Sequence, residues 1–177
     1  MAKFVVVVSN VAAAPGMALA MERGVPTAVI PHGRDREAHE RRIAEVFDAH
    51  DVEVVVLAGY MRLLTPWMVR RYEGRMLNIH PSLLPAFPGL DTHARALAAG
   101  CRIAGCTVHL VTDAMDAGPI LGQAAVPVLR GDTEATLAAR VLIAERKLYP
   151  ATLAAHLGGV AHQPDGTATL ANPPSLA

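Results

Sequence analysis

The sequence predicts an α/β fold with a mainly parallel sheet and helices on its faces. Two observations carry this. Short apolar, β-branched runs at Phe4–Val8, Val25–Ile30 and Val52–Ala58 are the kind that a sheet buries on both faces. Between them lie segments with helix starts and stops, which is the alternation of a parallel sheet.

The elements follow in order. After Ser9 and Asn10, Pro15 opens a helix that Gly24 closes. Asp35 is an N-cap candidate, and Ile43, Val46 and Phe47 fall on one stripe of a helix ending near His50. Thr65 and Pro66 cap and start the next helix, and Met76–Ile79 is a brief strand that delivers His80 into the loop PSLLPAFPGLDTH. Pro81, Pro85 and Pro88 forbid regular structure there and shape the loop. Thr92–Ala99 reads as a helix stopped by Gly100, with strands near Ile103–Val111 and Ile120–Val126. Leu137–Leu157 reads as a long helix bent at Pro150. One domain over residues 1–159 is expected, with residues 160–177 as a short hairpin or loose tail.

Charge and composition exclude several functions. Sixteen Lys+Arg balance sixteen Asp+Glu, so no net positive field draws a nucleic acid, and basic runs such as Arg70-Arg71 read as solvated helix faces. No stretch nears the roughly 20 unbroken apolar residues of a membrane span. Ser9 and Asn10 also cut the opening run too short for a signal peptide. Cys101 and Cys106, on what reads as one strand, match no zinc or redox pattern and are expected as buried thiols of a cytoplasmic protein.

In parallel sheets ligands bind beyond the carboxyl ends of strands, and polar side chains gather there in this sequence. Asn78 and His80, two apart at a strand end, project to one face. An amide and an imidazole so placed can both serve a carbonyl oxygen that gains charge, which suits acyl transfer; such residues also satisfy loop backbone groups. Asp113 and Asp116 enter a Gly-Pro turn after a strand, where either one could orient His80 or simply form an Asx turn. His109, among apolar neighbours, reads as a core histidine, and His32, His39, His50 and His156 read as surface residues. No Ser or Cys sits on a strand-to-helix elbow, so direct transfer between two bound substrates is favoured over a covalent acyl-enzyme. His93 and Asp91 lack the ligand spacing for a metal site with His80.

The segments LAGYMRLLTP, LNIHPSLLPAFPGL, TVHLVTDAMDAGPI and AERKLYP, in this order from about Phe4 to Leu157, closely resemble the phosphoribosylglycinamide formyltransferase family of folate-dependent enzymes. The resemblance implies a Rossmann-like formyltransferase fold, and transfer of a formyl group from formyl-tetrahydrofolate to the amine of glycinamide ribonucleotide in purine biosynthesis, with no metal. It makes Asn78 and His80 the pair that polarises the formyl oxygen and Asp116 the carboxylate that assists proton removal, with Asn78 also touching substrate. Met61, Arg62, Leu63 and Leu64 correspond to one wall of the folate site, Val111, Thr112 and Asp113 lie on the opposite loop, and Arg36 lies near the glutamate tail. Glu145 corresponds to the ribose contact. The oligomeric state is left open, a homo-oligomer included.

The sequence departs from the family pattern in places. Members begin with a further strand and a Gly-Ser-Asn type loop that holds the nucleotide phosphate, whereas this sequence opens on what resembles their following strand. Ribonucleotide binding is therefore expected to be weak, because Ser9 to Ala14 offers no glycine and Pro15 no N–H. Asp91 stands where a histidine is usual and Ala86 where a basic residue is common. The alternatives are a formyltetrahydrofolate deformylase, which passes the formyl group to water, and a non-catalytic folate-binding remnant. A methionyl-tRNA formyltransferase would need a further RNA-binding domain.

Overall fold

The computed structural model describes residues 3–158, so the hairpin or tail expected over 160–177 lies outside the described residues. The order is β1 (Val7–Ser9), α1 (Pro15–Glu22), β2 (Thr27–Val29), α2 (Arg36–Ala49), β3 (Val55–Leu57), α3 (Pro66–Arg71), β4 (Met76–His80), α4 (Thr92–Ala98), β5 (Ile103–Leu110), β6 (Ile120–Pro127) and α5 (Glu134–Leu157). The chain divides into two compact units. The first holds residues up to Val55 together with Met61–Arg75, and the second holds Val56–Tyr60 and the chain from Met76 onward.

In the first unit β1 and β2 pair in parallel, Val7 opposite Thr27 and Ser9 opposite Val29, with α1 as the crossover. The run from Phe4 was expected to be strand, yet the ladder starts only at Val7 and Phe4 is 64% exposed. A strand is as long as its partner, and β2 offers three residues; β-branching alone does not extend it. Asp35 caps α2 by accepting from the Ala38 amide at 3.1 Å, and Thr65 caps α3 by accepting from Met68. The buried stripe of α2 runs through His39, Glu40, Ile43 and Ala44. His39 is therefore interior, contrary to its expected surface place: its Nε2 faces the Ile30 carbonyl at 3.0 Å and its ring meets His32 edge-on. The Glu40 carboxylate, equally buried, accepts from the Thr65 amide at 2.9 Å and from the Thr65 hydroxyl, which ties α2 to the start of α3.

The second unit contains a sheet in the order β3-β4-β5-β6, in which β4–β5 and β5–β6 are antiparallel. The α/β class stands, but these two pairs depart from the parallel expectation. Residues 111–119 join β5 to β6 without a helix, and so short a connection returns the chain antiparallel. α5 covers β5 and β6, burying Leu137, Val141, Leu148 and Thr152 at helical spacing. It starts one turn earlier than expected because Thr133 and Thr136 form a reciprocal cap, and Pro150 lies inside it. Arg140 anchors the same end, donating to the Pro127 carbonyl and pairing with Asp132 at 2.7 Å, which holds that carboxyl well below its usual range. Further along, the Tyr149 hydroxyl lies 2.8 Å from the Leu57 carbonyl and 3.0 Å from that of Leu77, so one hydrogen is shared between β3 and β4. Only Cys106 of the two thiols is a strand residue; Cys101 precedes β5 and is half-buried.

Candidate active site

The antiparallel register of β4 and β5 builds the site. Asn78 lies opposite His109, and His80 opposite Thr107. Opposed residues project to the same face, so Asn78, His80, His109 and Thr107 share one side of the sheet. His80 is 6% exposed and His109 3%. The loop after β5 then brings Asp116 back in a left-handed conformation, φ 52°, to the same group. Its Oδ2 stands 3.5 Å from His80 Nδ1 and its Oδ1 3.8 Å from His109 Nε2. The three side chains singled out in the sequence therefore converge, with His109 as a fourth that was missed. No sequence pattern marks it, because its partner Asn78 lies 31 residues away across a strand pair.

Proton placement follows from which atoms can only accept. His109 Nδ1 faces the Leu110 carbonyl at 3.0 Å, so this nitrogen carries the hydrogen. Nε2 is then a bare acceptor toward Asn78 Nδ2 at 3.4 Å. Burial, more than any other influence, pushes the His109 pKa down; the Leu110 carbonyl and Asp116 oppose it and His80 adds to it. The ring is thereby kept neutral and suited to orient the amide. His80 is bound in the opposite sense: its Nε2 lies 3.0 Å from the Phe87 carbonyl and must be the protonated nitrogen, which leaves Nδ1 toward the carboxylate.

The proline loop supplies backbone to both ends of that pair. Besides Phe87, at φ 54°, the Gly89 amide donates to Asp116 Oδ2 at 2.8 Å. The loop itself is tied to the sheet from inside. Thr107, fully buried, donates to the Ser82 carbonyl at 2.7 Å and accepts from the Leu84 amide at 3.0 Å, and Gln123 donates to the Leu84 carbonyl at 2.8 Å. The Ser82 hydroxyl bonds the Ala86 carbonyl at 2.6 Å. Across the site Gly118 has no space for a side chain, since a Cβ there would lie 1.8 Å from the Leu110 carbonyl oxygen.

The other sequence-predicted residues are spread over the chain. In the second unit Thr112 and Asp113 are exposed, Thr112 bonding Ala114, while the Val111 amide is already used by the Met76 carbonyl at 2.9 Å. Glu145 is half-buried on α5, and burial raises its carboxyl pKa. Burial first, and the Glu145 charge second, push the Cys106 thiol up to about 12, so it is no nucleophile. In the first unit, taken by itself, Met61 and Leu63 are exposed. Arg36 donates weakly to the Leu63 carbonyl at 3.4 Å, and Arg62 reaches the Gly33 carbonyl at 3.5 Å. Among the described residues no three His, Cys, Asp or Glu side chains are grouped to hold a metal, and no helix is long and apolar enough to cross a membrane.

A family profile described as formyl transferase matches residues 1–153. The chain belongs to the formyl transferase family. A solved phosphoribosylglycinamide formyltransferase from Brucella melitensis is 54% identical, with a TM-score of 0.80 over 89% of this chain and 81% of that one. The enzyme of that name from Escherichia coli is 48% identical over 81% of this chain and 69% of its own length. The trifunctional purine biosynthetic protein adenosine-3 of Bos taurus is 48% identical over 86% of this chain, which spans 15% of that longer protein. A formyltetrahydrofolate deformylase from Pseudomonas syringae shares the formyl transferase fold with a TM-score of 0.88, but at 29% identity and over 56% of its length.

Proposed function

We propose that this chain transfers the formyl group of formyl-tetrahydrofolate to the amine of glycinamide ribonucleotide. The observation that carries the reading is the close approach of His80 Nδ1 to Asp116 Oδ2, 3.5 Å, beside the amide of Asn78 on the same strand end. In this mechanism the amine attacks the formyl carbon and the carbonyl oxygen becomes an oxyanion. Asn78 Nδ2 has a second hydrogen, not directed at His109, to donate to it. Asp116 takes the proton that the attacking nitrogen must lose. When the bond from the formyl carbon to the folate nitrogen breaks, that nitrogen needs a proton, and His80 Nδ1, adjacent to the carboxylate, is placed to pass it on. The amine proton thus ends on the folate, and no covalent enzyme intermediate forms.

Within the same reading, Met61, Arg62, Leu63 and Leu64 contact the folate, as do Val111 through its carbonyl and Thr112 and Asp113. Arg36 serves the glutamate tail, and Glu145 binds the ribose hydroxyls, where hydrogen bonds would offset the cost of its partial burial. The enzyme works in the cytoplasm.

The test is a formyl-transfer assay with and without the ribonucleotide. Transfer that needs the ribonucleotide supports the reading. Formate release without it would identify a deformylase instead, and no turnover of the folate would refute both. Asp116→Asn keeps the acceptor for the Gly89 amide and loses the charge, so kcat should fall by about 10²–10⁴ with little change in folate binding. Unchanged turnover would remove Asp116 from the mechanism.

A further inference from the structure

Arg95 on α4 has no part in the reaction as written, yet it grips the loop that does. Its Nη1 lies 2.5 Å from the Pro88 carbonyl and 3.2 Å from that of Leu90, and its guanidinium stands 5.5 Å from the centre of the Phe87 ring. One cation therefore holds Phe87, Pro88 and Leu90 of the segment whose Phe87 carbonyl accepts the His80 hydrogen and whose Gly89 amide donates to the Asp116 carboxylate. Packing does not do this by itself. Phe87 lines a partly open cavity of about 130 Å³ together with His93, Ala96 and Cys101, so the interior does not enclose it on every side. Its φ of 54° is moreover a left-handed conformation that strains a non-glycine residue and persists only where something holds it.

We infer that Arg95 is a positioning residue, which by fixing the Phe87 carbonyl decides that His80 keeps its hydrogen on Nε2 and exchanges protons through Nδ1. If the Phe87 peptide turns away, Nε2 loses its acceptor and the neutral ring is free to carry its hydrogen on Nδ1 instead. That tautomer points a donor at Asp116 and strengthens the contact, but it leaves the basic nitrogen facing away from the carboxylate that receives the amine proton. The relay is then broken without any catalytic group having been altered. The groups around His80 are Asp116 from the loop after β5, His109 from β5 itself, and His93 from α4, which is in turn near Glu134. None of them supplies the carbonyl acceptor that Nε2 needs.

The inference rests on the formyl-transfer reading only for its kinetic consequence; the tautomer is observable without substrate. The experiment is ¹⁵N NMR of the full chain labelled at histidine, with His80 assigned by the signal lost in His80→Asn, for the native protein and for Arg95→Met. Methionine keeps the aliphatic stem and removes the donors. The native ring should show Nε2 protonated and Nδ1 bare, and Arg95→Met should show the hydrogen distributed over both nitrogens. In the transfer assay Arg95→Met should lower kcat about tenfold, the loss of a hydrogen bond from a charged donor, with the folate KM within about twofold. A native ring protonated at Nδ1, or an Arg95→Met protein with native His80 signals and native pH profile, overturns the inference. Should Arg95→Met fail to fold, Arg95→Leu, which likewise lacks the donors to the Pro88 and Leu90 carbonyls, is read in the same way. If the native protein shows the expected tautomer but transfers no formyl group, the functional reading fails and the positioning role stands.

Discussion

Residues 81–91 and residues 111–119 both deliver atoms to the His80–Asp116 pair, but they are held by different means. The first loop is fastened by interior side chains, with Thr107 and Gln123 occupying the Ser82 and Leu84 backbone groups. The second has few such ties: Thr112 bonds Ala114, and the path is set by how closely Gly118 passes the Leu110 carbonyl. One loop is specified by hydrogen bonds that fill its polar groups, the other by a steric limit that leaves one backbone route. Their failures should differ accordingly, with gradual loosening in the first and displacement of the whole turn in the second.

The sharpest way to break the contrast is Gly118→Ala. The added carbon would meet the Leu110 carbonyl oxygen at 1.8 Å, and since both partners are backbone no rotamer relieves it. Stability should fall by about 3 kcal/mol or more, and activity should vanish with it because Asp116 moves. Denaturant unfolding and the transfer assay check this; a variant of native stability would mean that the turn has another route. Thr107→Val should cost less, about 2 kcal/mol, by leaving the Ser82 carbonyl and the Leu84 amide without their buried partner. Hydrogen exchange should then rise at residues 81–91 and not at 111–119. Equal loosening of both loops would show that they are one unit after all.

The smallest effect is one of pH. The His109 pKa is lowered on folding, so below its ordinary value near 6.5 the unfolded chain binds a proton that the folded chain refuses. Stability contributed by the neutral ring is present above that pH and is lost as the pH falls through it. His32 and His93 are lowered as well, so the test compares unfolding of the native chain and His109→Gln at pH 7.5 and 5.5, both pH values chosen to lie on the order of one unit either side of the free imidazole. The native chain should lose more stability than the variant between the two. An equal loss would mean that His109 is not the group held neutral.

What was legible in the sequence divides along a similar line. Caps and breakers act through neighbours, so Asp35, Thr65 with Pro66, and the proline loop could be placed from local residues alone. Asn78 and His80 were legible because two residues apart on a strand fixes a common face. His109 was not, since its role depends on the register of β4 against β5, and a histidine between apolar neighbours looks the same whether it is merely packed or pointed at an amide. His39 and Glu40 were missed on α2 for a related reason. The stripe was traced by its apolar members, while the structure continues it with two polar ones whose partners are the Ile30 carbonyl and Thr65. Strand lengths were overestimated wherever a β-branched run outlasted its pairing partner, as at Phe4.

The Phe87 carbonyl and the Gly89 amide have a consequence for how this site can change over generations. Both are peptide groups, common to every amino acid except that proline lacks the hydrogen, so no exchange of side chain at position 87 can delete the acceptor and only proline at 89 deletes the donor. Substitution there acts on the shape of the chain, through φ values of 54° and 79°, and not on the inventory of chemical groups. The most exacting part of the site is thus written in a form that drift cannot easily erase, and variation is free to accumulate in the residues that decorate the loop so long as its curve survives.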